Sequence, residues 1–241
     1  MVLEEQLDQL AIACRVLEME GHGDMTLGHL SLRDPEGRGF WLKRNARGLG
    51  EILTHKDFVL VSFDGEKLAG EGGLHSEWPI HSEILRLRPD VQVVAHTHPF
   101  YASVLSAFDT ELLPFTLDAD YFDALPCHSD DVALLKTKDD GIALARTLGA
   151  HFAVLMANHG VTFCGTSIAH AVCVGVFLEK AARTHVQGMQ IRADAGFPDA
   201  EIRERRRHQI MTSVHVEHSW HYFVRKLQRV EQVNGLAGLY S

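Results

Sequence analysis

The chain is poor in the residues that staple small folds: its 241 residues include four cysteines, none in a CxxC pair, and only seven prolines. A disulfide framework and a closed, sulfur-rich structural zinc site are thereby excluded. The opening MVLEEQLDQL is acidic where a secretory leader is basic and then apolar, so a reducing cytoplasm is the expected compartment. No run approaches the roughly 18 uncharged apolar residues of a membrane-spanning helix, so no membrane association is expected. Basic charge is also short: 23 Lys plus Arg stand against 32 Asp plus Glu, a formal net charge of −9. That sign repels a phosphate backbone and argues against nucleic acid as a partner. The basic cluster Arg203, Arg205, Arg206 and Arg207 is interleaved with Glu201 and Glu204, the pattern of a solvated helix face or of subunit salt bridges. The absence of an HExxH helix removes the metalloprotease class that depends on it. With no composition break and no internal repeat, residues 1–241 read as a single domain ending in a helical segment over about 198–232.

Within that frame the periodicities alternate. Leu3, Leu7, Leu10, Cys14 and Leu17 form one apolar stripe, which predicts an opening helix that stops near Gly21 and Gly23. From Leu30 to about Gly70 the runs are short and extended, with Asp64-Gly65 as a hairpin turn. A helix is predicted over 76–88, ended by Pro89, followed by a buried strand over 91–98 and a helix over 99–107. Two strands, 152–157 and 161–164, flank Asn158-His159-Gly160, and helices follow over 167–190 and 199–232, the last with Pro198 at its start. Hairpin signals outnumber strand-helix-strand crossovers, so the predicted fold is α/β, with helices on both faces of a mainly antiparallel sheet.

What the chain has in abundance is histidine, sixteen in all, the commonest neutral metal ligand and the side chain that titrates near neutrality. In Val94-Ala95-His96-Thr97-His98-Pro99 two imidazoles stand two residues apart on a strand, and period-two geometry sends both to one face. His159, in a tight turn between apolar strands, is the candidate third ligand. Three histidines with an open position describe a catalytic rather than a structural site. Glu77, in Leu74-His75-Ser76-Glu77-Trp78, is the nearby acid; it either ligates the metal or serves as acid or base, and its alternative role is a helix-start charge. His215, His218 and His221 lie three apart, close to one helical face, and are expected to pack or to rim a site. Cys164 and Cys173 read as small buried apolar groups.

In order along the chain, Gly28-His29-Leu30-Ser31-Leu32-Arg33, Ser76-Glu77-Trp78 with His81, His96-Thr97-His98 and Asn158-His159-Gly160 resemble the class II aldolase/adducin family over residues 5–190. That family includes sugar-phosphate aldolases, an epimerase and some decarboxylases. The resemblance implies a three-layer α/β/α fold with a mainly antiparallel sheet. It implies a divalent metal held by His96, His98 and His159, with Zn²⁺ or Mn²⁺ favoured and Fe²⁺ or Co²⁺ as alternatives, and Glu77 as the acid-base residue or a further ligand. A homotetramer with active sites between subunits follows from the same likeness, and places Asp118, His218 and Tyr222 as substrate contacts.

The departures bear on the substrate. Sugar-phosphate members place Gly-Asn where this chain has Gly28-His29, and cradle the phosphate where it has Arg44-Asn45-Ala46-Arg47-Gly48 and His75-Ser76. Histidine trades a neutral amide for a proton carrier, and the decarboxylating members resemble this chain at that turn. The expected reaction is decarboxylation of a small hydroxy- or keto-carboxylate, aromatic or heteroaromatic rings included. Gly28, Arg47, Gly48, His75 and Ser76 would bind it, Arg47 or His29 gripping the carboxylate, and Glu77 or His29 would deliver the proton. The alternatives are retro-aldol cleavage of a sugar phosphate, a non-catalytic adducin-like scaffold, and an iron-dependent oxygenase.

Overall fold

The computed structural model describes residues 2–108, 110–129, 134–191, 196–233 and 235. Helix α1 (Leu3–Leu17) runs on into a π-turn at Glu18–His22, which ends at Gly23 after Gly21 adopts a φ of 93°. Strands β1 (His29–Arg33), β2 (Gly39–Lys43), β3 (Phe58–Ser62) and β4 (Lys67–Ala69) form the antiparallel meander, with Gly65 at φ 87° in the β3–β4 turn. Next come α2 (Trp78–Leu87), β5 (Val93–Thr97), α3 (Phe100–Leu105), β6 (Cys127–His128), α4 (Lys138–Leu148), β7 (Ala153–Met156), β8 (Gly160–Gly165) and α5 (Ile168–Ile191). The eight strands make one sheet in the order β4-β3-β2-β1-β5-β8-β7-β6, antiparallel throughout except for the β6–β7 pair. The three-layer α/β/α arrangement expected from the sequence is present.

Period-two alternation divides the core into two layers. Val93 and Ala95 of β5, Leu30 and Leu32 of β1, and Val161 and Phe163 of β8 face α1, α3 and α5. Val94, Val154, Cys164, Phe40 and Leu42 face α2 and α4. His29, Ser31 and His96 share the second face, the one covered by α2, because each is one residue out of phase with that first set. Their registers fix them side by side: His29 pairs with His96 and Ser31 with Val94.

The C-terminal region departs from the single helix predicted over 199–232. It is two helices, α6 (Ala200–Ile210) and α7 (Ser213–Val233). The chain breaks at Met211, and the Thr212 hydroxyl accepts a hydrogen bond from the His215 N–H at 3.2 Å to start the second helix. Nor is the arginine cluster of α6 merely solvated. Arg203 donates to the buried Asp120 carboxylate at 3.0 Å, Arg206 lies 3.6 Å from it, and Arg207 donates to the Asp120 carbonyl at 3.1 Å. These contacts clamp α6 onto the 3₁₀ turn at Leu117–Tyr121. The two-residue strand β6 was not predicted, being too short to show a period. No helix among the described residues is long and apolar enough to cross a membrane.

Candidate metal centre and active site

Strand β5 delivers His96 to the α2 face, and the chain beyond it turns His98 back to the same place. The Nε2 atoms of His96 and His98 are 3.0 Å apart. Both outer nitrogens are engaged: His96 Nδ1 lies 3.0 Å from the Val161 carbonyl and His98 Nδ1 3.0 Å from the Asp24 carboxylate. A carbonyl and a carboxylate only accept, so each imidazole carries its proton on Nδ1 and presents an Nε2 lone pair. Two lone pairs facing each other at that distance repel unless a cation lies between them, and outer carbonyl or carboxylate partners of this kind are those of metal-binding histidines.

The third imidazole comes from the β7–β8 turn, where Asn158 takes the left-handed conformation at φ 56° and His159 N–H closes onto Met156 O at 3.0 Å. Asparagine tolerates that conformation well. Ligand atoms of His96, His98 and His159 all lie within 4.8 Å of one another, and those of His29, Glu77 and His96 form a second such group. The donor set therefore fits a divalent ion with nitrogen preference. Gly160 leaves no room for a side chain: a Cβ there would sit 2.5 Å from His98 Cδ2 and 2.6 Å from the Thr97 carbonyl. Gly160→Ala is expected to displace the His98 ring and weaken zinc binding by about 10–100-fold, in the range for disturbed ligand support; unchanged affinity in a competition titration would contradict this.

Glu77 stands at the start of α2 without capping it. Its Oε1 accepts from the Leu135 N–H at 3.1 Å, and its Oε2 lies 3.9 Å from both His29 Nε2 and His96 Nε2. The helix-start reading of this residue is thus set aside, because the buried carboxylate turns inward to the histidines. His75 packs on His29 with ring centroids 4.6 Å apart and keeps its Nε2 buried without a hydrogen-bond partner. Burial holds His75 down at about 4, and pushes His29 and His96 well below the ordinary histidine range. These rings are neutral at physiological pH, as ligands and bases must be. Cys164 and Cys173 are buried, their thiols pushed up to about 12 by desolvation, and play no part here.

A cavity of about 1020 Å³ opens over this cluster. Its lining combines the polar Asp24, His29, His75, Ser76, Glu77, His98, Asn158 and His159 with the apolar Leu27, Phe100, Val104, Ala107 and Leu134.

A family model described as the class II aldolase and adducin N-terminal domain matches residues 8–186. The chain belongs to that family. Over 183 residues it is 34% identical to the decarboxylase NovR of Streptomyces niveus, a match covering 74% of this chain and 66% of that protein, just under two thirds of its length. It is 29% identical over 218 residues to the 3,4-dihydroxyphthalate decarboxylase of Arthrobacter keyseri, covering 82% of this chain and 84% of the relative. Among solved structures, an aldolase II superfamily protein from Pseudomonas syringae superposes with a TM-score of 0.85 at 26% identity, over 95% of each chain.

Of the residues singled out from the sequence, the chain brings Gly28, His29, His75, Ser76, Glu77, His96, His98 and His159 together. It does not bring Arg47 there: that side chain is exposed and lies 3.5 Å from Glu51. The Gly48 N–H is also committed, donating to the Glu51 carboxylate at 2.7 Å. Asp118, His218 and Tyr222 line a separate groove of about 580 Å³ that shares no lining residue with the cavity over the metal-site histidines. Sequence reasoning missed Lys43. This side chain is fully buried, donates to the Arg44 and Arg47 carbonyls and so anchors the loop in which Ala46 takes φ 57°. Burial lowers it to about 8, and no sequence pattern announces a lysine at an inward strand position.

Proposed function

We propose that this chain is a metal-dependent carbon–carbon lyase that decarboxylates a small hydroxy- or keto-carboxylate with an apolar or aromatic body. The observation that carries the reading is the cavity itself, whose lining combines His98, His159 and Glu77, beside the buried His96, with the apolar side chains of Leu27, Phe100, Val104, Ala107 and Leu134. A carboxylate-bearing ring matches that mixture of polar and apolar lining. No arginine or lysine is among the described residues lining the cavity, and the Gly48 amide is already taken by Glu51, so the walls favour a carboxylate over a phosphate dianion. Two relatives whose names specify decarboxylation support the same choice.

His96, His98 and His159 would hold a divalent ion, zinc or manganese, and it would supply Lewis-acid charge to the reaction. The remaining work falls to the chain. His75 and Ser76, which line the cavity, orient the substrate, and the apolar lining residues exclude water. Glu77, held by the Leu135 amide at Oε1, takes the hydroxyl proton of the substrate at Oε2; loss of carbon dioxide leaves the electron pair of the broken bond on carbon, and Glu77 returns the proton to that carbon. The site is proposed to work in a homotetramer, where Asp118, His218 and Tyr222 of one subunit would face the cavity of another.

The test is to load the protein with zinc or manganese and assay carbon dioxide release from 3,4-dihydroxyphthalate and related aromatic hydroxy-carboxylates, beside aldehyde release from sugar phosphates. Carbon dioxide without aldehyde is expected. Triose phosphate from a sugar phosphate with no carbon dioxide would replace this reading by retro-aldol cleavage, and inertness toward both classes would point to a scaffold.

A further inference from the structure

Helix α3 begins at Phe100, two residues beyond His98, and turns one face to the cavity. Phe100, Ser103 and Val104, with Ala107 just past the helix end, recur at i, i+3, i+4 and i+7, and all four line it. The other face carries Ala102 and Leu105, both buried in the core that α3 shares with α5. A helix of 6 residues is too short to hold itself together. Pro99, the residue before it, offers no side-chain cap, so the first N–H groups of α3 need partners from elsewhere in the chain.

Those partners come from α5. The Glu179 carboxylate accepts one N–H at each oxygen, Tyr101 at Oε1 and Ala102 at Oε2, both at 2.9 Å. A backbone N–H only donates, so the atoms themselves fix the direction of both bonds. One turn further along α5 the Arg183 guanidinium lies 5.7 Å from the centre of the Tyr101 ring, which in turn stands perpendicular to Phe100 at 5.1 Å. The start of α3 is thus held twice from one stretch of α5, at its backbone by Glu179 and at its Tyr101 ring by Arg183.

We infer that Glu179 is a positioning residue that pins the start of α3 and so sets how Phe100, Val104 and Ala107 stand in the cavity. His96 and His98 keep outer partners of their own, the Val161 carbonyl and the Asp24 carboxylate, so the pin acts on the apolar lining and leaves the metal ligands in place. Glu179 itself is not among the residues lining the cavity. Resting on the lyase reading above, the consequence is that a residue outside the cavity governs how tightly the apolar body of the substrate is held, and not the chemical step.

The pin is measurable without turnover. Amide hydrogen exchange is followed by NMR in the zinc-loaded protein, where the Tyr101 and Ala102 amides, in a first turn that water would otherwise reach, are expected to exchange slowly. Glu179→Gln keeps the length of the side chain but puts one acceptor and one donor where two acceptors stood. At least one of the two amides is then expected to exchange about 5–30-fold faster, the equivalent of losing a helix cap, while zinc affinity stays as in the wild type. In the decarboxylation assay with 3,4-dihydroxyphthalate the same variant raises KM by about 10-fold, the size of one lost apolar contact in a pocket, with kcat nearly unchanged. Wild-type Tyr101 and Ala102 amides that exchange as freely as exposed loop amides overturn the inference whether or not the variant folds. Wild-type exchange at both amides in Glu179→Gln overturns it too, and so does a loss of zinc affinity or a fall in kcat at unchanged KM. If the wild type releases no carbon dioxide, the lyase reading falls alone and the exchange rates still decide the pin.

Discussion

Replacing Glu77 by glutamine is expected to lower carbon dioxide release by about 10²–10⁴-fold, the usual contribution of a positioned acid or base, while the protein still binds its metal. The substitution is close to isosteric: the glutamine oxygen still accepts from the Leu135 amide, as Glu77 Oε1 does at 3.1 Å. What disappears is the oxygen that can take up and pass on a proton at the Oε2 position, on the side of His29 and His96. A kinetic comparison with metal analysis on the same samples decides the matter. A variant that keeps full turnover removes Glu77 from the chemistry, and one that loses its metal makes Glu77 a ligand before anything else.

Acid is expected to unfold this protein well before it titrates most of the carboxylates. His22 is fully buried, its Nδ1 2.9 Å from the Thr97 hydroxyl and its Nε2 without a partner, and burial lowers it to about 4. His81 is lowered to about 3 in the same way. Both rings are neutral in the folded chain and take up protons near 6.5 in the unfolded one. The unfolded state therefore binds more protons below that pH, and stability falls as pH drops from 6.5 toward 4. At pH 5 each ring costs about 2 kcal/mol relative to neutral pH, about 4 kcal/mol for the pair. That is a large part of the stability of an ordinary domain. The lowered His75, His29 and His96 add to the loss in the same direction; denaturant melts at pH 7.5 and pH 5 measure the whole, and His22→Leu should reduce the difference by about 2 kcal/mol. Equal stability at the two pH values would mean that these rings are not neutral and buried as described.

The site was largely legible in the sequence because its parts obey local periodicities. His96 and His98 share a face through period two, His159 sits where two apolar strands leave room for only a tight turn, and Glu77 opens the helix that leads into the His96 strand. What the sequence could not show depends on contacts between distant segments. The hydrogen bond between Ser31 and His81 joins β1 to α2 across 50 residues, and neither segment alone reveals that their polar side chains meet. The burial of Lys43 and the Asp120 clamp on α6 are of the same kind, since a charge pattern that looks solvated becomes interior once a second element packs over it. The α6–α7 break is marked only by a single capping threonine, Thr212, with Gln209 and Met211 before it able to continue a helix. Arg47 and Gly48 were placed at the cavity by analogy of position, and the Glu51 carboxylate that draws both away is one turn further along the chain.

The central claim is that His96, His98 and His159 hold the metal on which turnover depends. Zinc bound per chain, measured by equilibrium dialysis and elemental analysis of the wild-type protein beside His96→Ala and His159→Ala, tests it most directly. One zinc per chain in the wild type, with binding lost in both variants together with carbon dioxide release, is the predicted result. Zinc retained at full stoichiometry by the variants, or a wild-type protein that binds none, would contradict it.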